Sequence, residues 1–320
     1  MKPSIPDKMK AVAIDHFGGP EVLRVQSLPV PKPKTGEVLV QLEAAGIGVW
    51  DPYVRNGEFQ IGPPRFPLVI GNDGAGTVAA VGDGVERFKV GDRVYGYRME
   101  GGFYAEYVAL SQDHAAHVPP GLKTDEAGAL GADGITAFLG LDDQLQLRSG
   151  QSLMVFGASG GIGHIAVQLG KRMGAKVLAV ASGPDGVELV RRLGADSAVD
   201  GRRGDVAAAV GAFAPDGIDA ALVAVGGNGV DEALRAIKKS GRVAYPNGVE
   251  PEPKAPSGVK LLAYDGEPSK DAFERLNRLI GDGAFHVELG RVYRLEDAAT
   301  AHREIEQHHL GKLAFRIRGG

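Results

Sequence analysis

Leu153-Met154-Val155-Phe156-Gly157-Ala158-Ser159-Gly160-Gly161-Ile162-Gly163 is the stretch that decides the fold. Its four leading apolar residues read as a buried strand, the glycine-rich centre as a turn, and residues 162–173 have the apolar spacing of a helix. Glycines at 160 and 163 let the backbone approach a pyrophosphate and let the helix pack closely on the strand. The helix N-terminus then supplies N–H donors and the positive end of its dipole. Ala158 stands where the first glycine of G-x-G-x-x-G would fall, so the motif match is imperfect. Context supports the reading: a second strand, 176–181, follows about 20 residues on. Ala158, Ser159, Gly160, Gly161, Ile162 and Gly163 are therefore the expected dinucleotide-contacting residues of this turn.

Working outward, strands are expected at 198–200, 218–225, 242–245 and 259–264, with helical segments such as 187–193 between them. Strands alternating with helices of this length argue a parallel sheet with right-handed crossovers, a Rossmann-type doubly wound α/β domain over residues 131–265. Upstream the grammar differs. Short strands rich in Val, Leu and Tyr are expected at 9–14, 37–43, 76–81, 93–97 and 105–110, separated by Gly, Pro and Asp clusters. This is a barrel-like, mostly β region. After Ser269 a helix over 270–280, a strand at 290–293, a helix over 295–308 and a strand at 312–317 most simply return to it. The first domain is then discontinuous, 1–130 and 266–320.

Composition narrows the chemistry. The 320 residues include no cysteine, which removes thiolate metal sites, cysteine nucleophiles and disulfides. With 36 basic and 40 acidic residues dispersed along the chain, no nucleic-acid footprint shows. No run approaches the roughly 18 apolar residues of a membrane span. The first ten residues, with two prolines and an aspartate, lack the apolar core of a secretory signal. A cytoplasmic protein with a small-molecule substrate is the expectation.

The dinucleotide is chosen at the end of the second strand. An acid there would accept hydrogen bonds from a ribose 2′-hydroxyl and repel a 2′-phosphate. Ala181 followed by Ser182 stands at that position, with Arg191, Arg192, Arg202 and Arg203 nearby in sequence. NADPH is favoured over NADH, with Arg202 the arginine assigned to the site and Asp185 an unfavourable neighbour for a phosphate. Gly226, Gly227 and Asn228 after the fourth strand, and Asn247 and Gly248 after the fifth, fall at the carboxyl edge where open α/β sheets bind ligands.

A series of motifs runs along the chain: His16-Phe17-Gly18-Gly19-Pro20-Glu21-Val22-Leu23, Gly46-Ile47-Gly48 and Tyr53-Val54-Arg55-Asn56-Gly57. They continue with Gly71-Asn72-Asp73-Gly74-Ala75-Gly76, Gly91-Asp92-Arg93-Val94, Gly102-Phe103-Tyr104-Ala105-Glu106-Tyr107, the Gly157–Gly163 turn and Gly311-Lys312. In these the chain resembles the zinc-independent quinone oxidoreductases of the medium-chain dehydrogenase/reductase superfamily. The resemblance implies a GroES-like β-barrel catalytic domain beside the Rossmann domain, with cofactor and substrate in the cleft between them. It also implies a homodimer or homotetramer.

Gly48, Asn72 and Ala132 match the positions at which zinc relatives hold their catalytic metal, and none is a good zinc ligand. No metal is expected. Without a Lewis acid, hydride transfer suits acceptors that are already electrophilic: quinones and α,β-unsaturated carbonyls. The family's cleft tyrosine matches Tyr53, the expected catalytic donor to the reduced product, with water as the alternative proton source. Trp50, Asn72 and Tyr97 are expected to line the substrate pocket, and Thr136 matches a threonine near the nicotinamide. Tyr104 falls at the same mouth, with ordinary packing as its other reading. His164 matches no catalytic role, and His302, His308 and His309 are expected on the surface. Three alternatives remain open: an enoyl-thioester reductase, a non-catalytic NADPH-binding or redox-sensing protein, and, last, a zinc-type alcohol dehydrogenase.

Overall fold

The computed structural model describes residues 5–227, 229–281 and 283–318. The chain opens with β1 (Lys8–Ile14), β2 (Arg24–Pro29) and β3 (Glu37–Ile47), then a short helix α1 (Asp51–Asn56). β4 (Leu68–Val69), β5 (Asp73–Val81), β6 (Arg93–Tyr97), β7 (Tyr107–Ser111) and β8 (Ala115–His117) follow, then α2 (Thr124–Gly128) and α3 (Gly131–Leu139).

From β9 (Ser152–Phe156) the strands and helices alternate: α4 (Gly161–Arg172), β10 (Lys176–Ala181), α5 (Gly183–Arg192), β11 (Ser197–Asp200), α6 (Val206–Phe213) and β12 (Ile218–Val223). α7 (Val230–Leu234), β13 (Ile237–Pro246) and β14 (Lys260–Tyr264) complete this run. The chain ends with α8 (Lys270–Ile280), β15 (Leu289–Arg294), α9 (Ala298–Glu304) and β16 (Lys312–Arg316).

Two compact units result. The first comprises Met1–Ala132, Pro268–Asn277 and Leu289–Gly320, the second Asp133–Glu267 and Arg278–Glu288. In the first, β15, β16, β3, β5, β6 and β8 lie side by side in one sheet, β7 also pairs with β3, and β2-β1-β4 form a smaller sheet. β16 pairs antiparallel with the end of β3, Leu313 opposite Ile47. That pairing, with β5 opposite Ala44 and Ala45, carries β3 four residues past the expected 43; β16 lies some 270 residues away in sequence and leaves no local signal.

The second unit is a six-stranded parallel sheet in the order β11-β10-β9-β12-β13-β14. β9, β10 and β12 are almost entirely buried, as strands covered on both faces must be. Their Met154, Leu178, Ala221 and Val223 join one apolar cluster with Val243. The chain runs outward from β9 to β11 and then crosses to β12, so the switch point lies between β9 and β12. Residues 278–288 are stitched to α4 by a polar stripe at i, i+4 and i+8. Glu288 N–H donates to His164 Nε2 (3.0 Å), Gln168 exchanges two hydrogen bonds with the His286 backbone (2.8 and 3.0 Å), and Arg172 reaches the carbonyls of Leu279, Ile280 and Ala284.

The helix expected over 295–308 is shorter. A 3₁₀ turn, Leu295–Asp297, leads into α9, which stops at Glu304. Beyond the buried Ile305, the run Glu306-Gln307-His308-His309 offers no apolar residue to hold another turn. No helix among the described residues is long and apolar enough to cross a membrane.

Candidate active site

In the second unit, the turn after β9 is held to the neighbouring strand by Gly157 and Ala158 N–H groups, both donating to the Val180 carbonyl (3.1 and 2.9 Å). Gly160 is the N-cap of α4 in extended conformation (φ −85°, ψ −174°). A Cβ built there meets nothing nearer than the Gly157 carbonyl oxygen at 3.5 Å, so the space over the helix head is open. Gly163 is the opposite case: its Cβ would overlap the Gly157 carbonyl and lie 2.7 Å from the Ala158 Cα. One glycine keeps a surface bare and the other lets the helix touch the strand. α4 begins at Gly161, so the N–H groups of Gly161, Ile162 and Gly163 have no helical acceptor and point along the axis. This cradle fits a pyrophosphate.

The buried His164 ring stabilises the cradle from below. Its Nε2 faces the Glu288 N–H, a donor only, so Nε2 accepts and Nδ1 carries the proton, which it donates to the Gly160 carbonyl (2.8 Å).

The other residues expected to contact a dinucleotide lie along the carboxyl edge of the same sheet. Ala181 ends β10 and is 3% exposed, with its carbonyl taken by Gly201 N–H (2.8 Å). Ser182, the half-buried N-cap of α5, makes no side-chain cap and bonds Ser159 Oγ through its backbone N–H (3.0 Å). Asp200 Oδ1 accepts from the N–H groups of Gly183 (3.0 Å) and Arg202 (2.9 Å), which hold its carboxyl below the ordinary range. The Arg202 and Arg203 side chains are exposed, as is that of Arg191, whereas Arg192 pairs with Glu288 (2.8 Å). Gly226 follows β12, packed under the backbone of Glu250 and Pro251, and Asn247 is exposed after β13. Asn228 lies outside the described residues. The Thr136 carbonyl accepts from the Tyr264 hydroxyl (2.9 Å) at the end of β14. The structure thus brings the described members of the expected dinucleotide set to one sheet edge, although Ala181 and Ser159 present no exposed side chain there.

In the first unit, β3 runs into Gly48 and α1. Trp50 and Tyr53 are 39% and 47% exposed, with ring centroids 5.5 Å apart, and Phe59 packs 5.3 Å from Trp50 on its other side. The Tyr53 hydroxyl has no hydrogen-bond partner among the described residues. Asn72 Nδ2 is committed to the carbonyls of Arg98 (3.0 Å) and Met99 (2.7 Å), and Tyr97 is buried in β6.

Beneath Trp50 lies a polar chain. Arg55 Nη1 donates to His302 Nδ1 (3.1 Å), which leaves His302 Nε2–H to donate to the Tyr104 oxygen (3.1 Å). Tyr104 O–H in turn donates to Asp51 Oδ2 (2.6 Å), which also accepts from Gly48 N–H (2.7 Å). Asp51 Oδ1 is buried with no partner.

The flanking sequence has clear relatives. Residues 34–120 match the alcohol dehydrogenase GroES-like domain family and residues 161–262 the zinc-binding dehydrogenase family. The quinone oxidoreductase of Rattus norvegicus is 32% identical over 322 residues, 97% of each chain. The chain belongs to the quinone oxidoreductase family. This family is a branch of the medium-chain dehydrogenase/reductase superfamily, and the chain shares its oxidoreductase fold. The solved quinone oxidoreductase from Coxiella burnetii superposes with a TM-score of 0.84 at 26% identity, covering 97% of this chain and 100% of that one. A structure described as an NAD-dependent alcohol dehydrogenase gives 0.87 at 30% identity with the same coverage.

In this family member Gly48 and Ala132 carry no donor atom at the zinc-ligand positions, and the Asn72 amide is turned onto the 98–99 backbone. Among the described residues no three His, Cys, Asp or Glu side chains gather to hold a metal. The residues present do not fit a catalytic zinc.

Sequence reasoning placed His302 on the surface, but it is 4% exposed. It lies on the inner face of α9 with Ala298 and Ala301, and burial, then the nearby Arg55 charge, push its pKa down to about 3. His308 is exposed, as expected. Asp51 and Arg55 went unremarked as site residues. The available signal was an acid and a base at i, i+4 on a short helix otherwise rich in aromatic and apolar neighbours, where each needs a buried partner elsewhere.

Proposed function

We propose that the chain is an NADPH-dependent, metal-independent reductase of quinones or α,β-unsaturated carbonyls. The observation that carries this reading is the residue set at 48, 72 and 132, which offers no Lewis acid for alcohol oxidation, beside a half-exposed aromatic wall suited to a planar acceptor. The quinone oxidoreductases among the relatives support the quinone part of it. Bound NADPH supplies the hydride. Gly161, Ile162 and Gly163 N–H groups hold the pyrophosphate, while Ala158, Ser159 and Gly160 keep the turn shaped and bare. The Ser182 hydroxyl and Arg202 guanidinium receive the 2′-phosphate, since Asp200 spends its carboxylate on backbone amides and leaves both free to do so. Thr136, Gly226 and Asn247 line the rest of the edge.

Trp50 stacks on the acceptor ring, and Tyr53 donates its unpaired hydroxyl to the acceptor oxygen, polarising it toward reduction. Asn72 fixes the loop after β6, and Tyr97 backs it from the core. In solution the protein assembles as a homodimer or homotetramer. The test is oxidation of NADPH and NADH against quinones, enones, enals and enoyl-CoA, with and without chelator. Turnover of quinones or enones with NADPH, unaffected by chelator, is the expected result. A requirement for stoichiometric zinc, or cofactor binding with no acceptor reduced, overturns the reading.

A further inference from the structure

Asp51 is the one buried side chain among the described residues with an oxygen lacking any partner. Its other oxygen is saturated by Tyr104 O–H and Gly48 N–H, so a proton on this carboxyl resides on Oδ1. The Asp51 carboxyl lies against the place where residue 48 would carry a side chain. A Cβ built on Gly48 has the Asp51 carboxyl atoms as its nearest neighbours, Oδ1 at 3.6 Å and the other two at 3.7 Å. Gly48 itself is half-exposed and stands two residues before Trp50. The missing side chain therefore leaves a methyl-sized space against the carboxyl that carries this buried, unpartnered oxygen.

We propose that Asp51 is the proton donor to the reduced acceptor, whose oxygen enters the gap at Gly48. This rests on the reductase reading above and assigns Asp51 a step that Tyr53, a polarising donor, does not perform. An acceptor that has gained a hydride is an oxyanion. Its oxygen forms a bond to hydrogen as Asp51 Oδ1–H breaks, giving the neutral reduced product and the Asp51 carboxylate. Solvent restores the proton through the same gap after product leaves. No oxidant or reductant beyond the hydride donor is consumed.

The surroundings suit the task. Burial holds the carboxyl pKa up to about 6 against the lowering effects of Tyr104, Gly48 and the Lys312 ammonium, and the Asp73 carboxylate adds to the rise. Lys312 of β16 and Asp73 of β5 are themselves paired at 2.8 Å, so their opposed charges act on Asp51 together. On the other side Arg55 of α1 and the neutral His302 of α9 complete the charged and titratable groups, with Glu21 and Glu306 bearing on Arg55. The chain Arg55–His302–Tyr104–Asp51 points every hydrogen toward the carboxyl. It sets the donor's strength without competing for Oδ1.

Three variants test this with a quinone and NADPH. Asp51→Asn keeps both hydrogen bonds to the side-chain oxygen but carries no acid. It is expected to lower kcat by about 10²- to 10⁴-fold, to abolish the fall in kcat as pH rises through about 6, and to remove the solvent isotope effect. Gly48→Ala fills the gap in ordinary contact with the carboxyl and is expected to lose the same pH limb. It decides the matter should Asp51→Asn fail to fold. Tyr104→Phe removes a hydrogen bond that favours the carboxylate. It shifts the limb to higher pH, and in the cofactor-free protein shifts upward the Asp51 titration seen by carboxyl ¹³C NMR, an effect that packing alone does not produce. Wild-type turnover with unchanged pH profiles in Asp51→Asn and Gly48→Ala overturns the proposal alone, as does an Asp51 carboxyl that titrates in the ordinary range. A wild-type protein that reduces no acceptor overturns the reductase reading and this proposal with it.

Discussion

Valine at position 160 separates cofactor binding from folding. Gly160 has β-region dihedrals that valine adopts readily, and the added Cβ is in ordinary contact at 3.5 Å. The stability change is therefore within about 0.5 kcal/mol, a shift of roughly 2 °C or less in the unfolding midpoint. The branched side chain nevertheless occupies the space over the helix head through which a pyrophosphate reaches the N–H groups of Gly161, Ile162 and Gly163. Losing two charge-assisted hydrogen bonds there costs about 3 kcal/mol, roughly a hundredfold in affinity. Gly163→Ala has the reverse profile. Its methyl meets the backbone of Gly157 and Ala158, which cannot step aside, so overpacking costs about 1–3 kcal/mol and several degrees. Thermal unfolding without cofactor and a fluorescence titration with NADPH read the two quantities independently. A Gly160→Val protein that folds normally and binds NADPH within about threefold of wild type refutes the placement of the pyrophosphate on α4.

Ser182→Asp puts a carboxylate beside the assigned 2′-phosphate site without burying it, as Ala181→Asp would; NADPH affinity is expected to fall at least about tenfold relative to NADH in parallel titrations. Tyr53→Phe removes an unpaired, half-exposed hydroxyl, so chemical denaturation is expected to show a change within about 0.5 kcal/mol, while kcat/KM for quinone drops about tenfold. Asp51 also marks stability. Its folded pKa lies above the unfolded one, so the wild-type protein loses stability as pH rises from about 4 to 6, by about 3 kcal/mol from this group. His302, with its folded pKa depressed to about 3, acts oppositely and adds stability as pH rises from 3 toward the ordinary histidine range. Urea denaturation of Asp51→Asn is expected to show a steeper rise in stability than wild type between pH 4 and 6, with parallel curves counting against the burial of this charge.

The parallel sheet was legible because β9, β10 and the turn between them carry their pattern locally: continuous apolar runs, glycine at the switch, and a helix of regular spacing. β10 and α8 match their expected bounds. β3 past residue 43 was not legible, since Gly46 and Ile47 are paired by the distant β16, and Ala44 and Ala45 by β5 and β16 together. The dinucleotide edge could be read residue by residue from strand ends. The polar chain under Trp50 could not, for its members come from α1, the segment before β7, and α9, and nothing in the sequence ties residue 302 to residue 51. A histidine on a charged helix looks solvated until its inward face is known.

The stripe His164, Gln168 and Arg172 has a practical meaning for dissection of the molecule. Residues 133–267, expressed alone, look like a self-contained nucleotide-binding module, yet they would lack the 278–288 segment that these three side chains bind. Cutting there would leave an imidazole, an amide and a guanidinium facing water on a surface shaped for backbone. It would also free the ring that fixes the Gly160 carbonyl from its second anchor. A fragment meant to bind cofactor by itself needs those eleven residues kept, with a linker in place of Pro268–Asn277, which belong to the first unit.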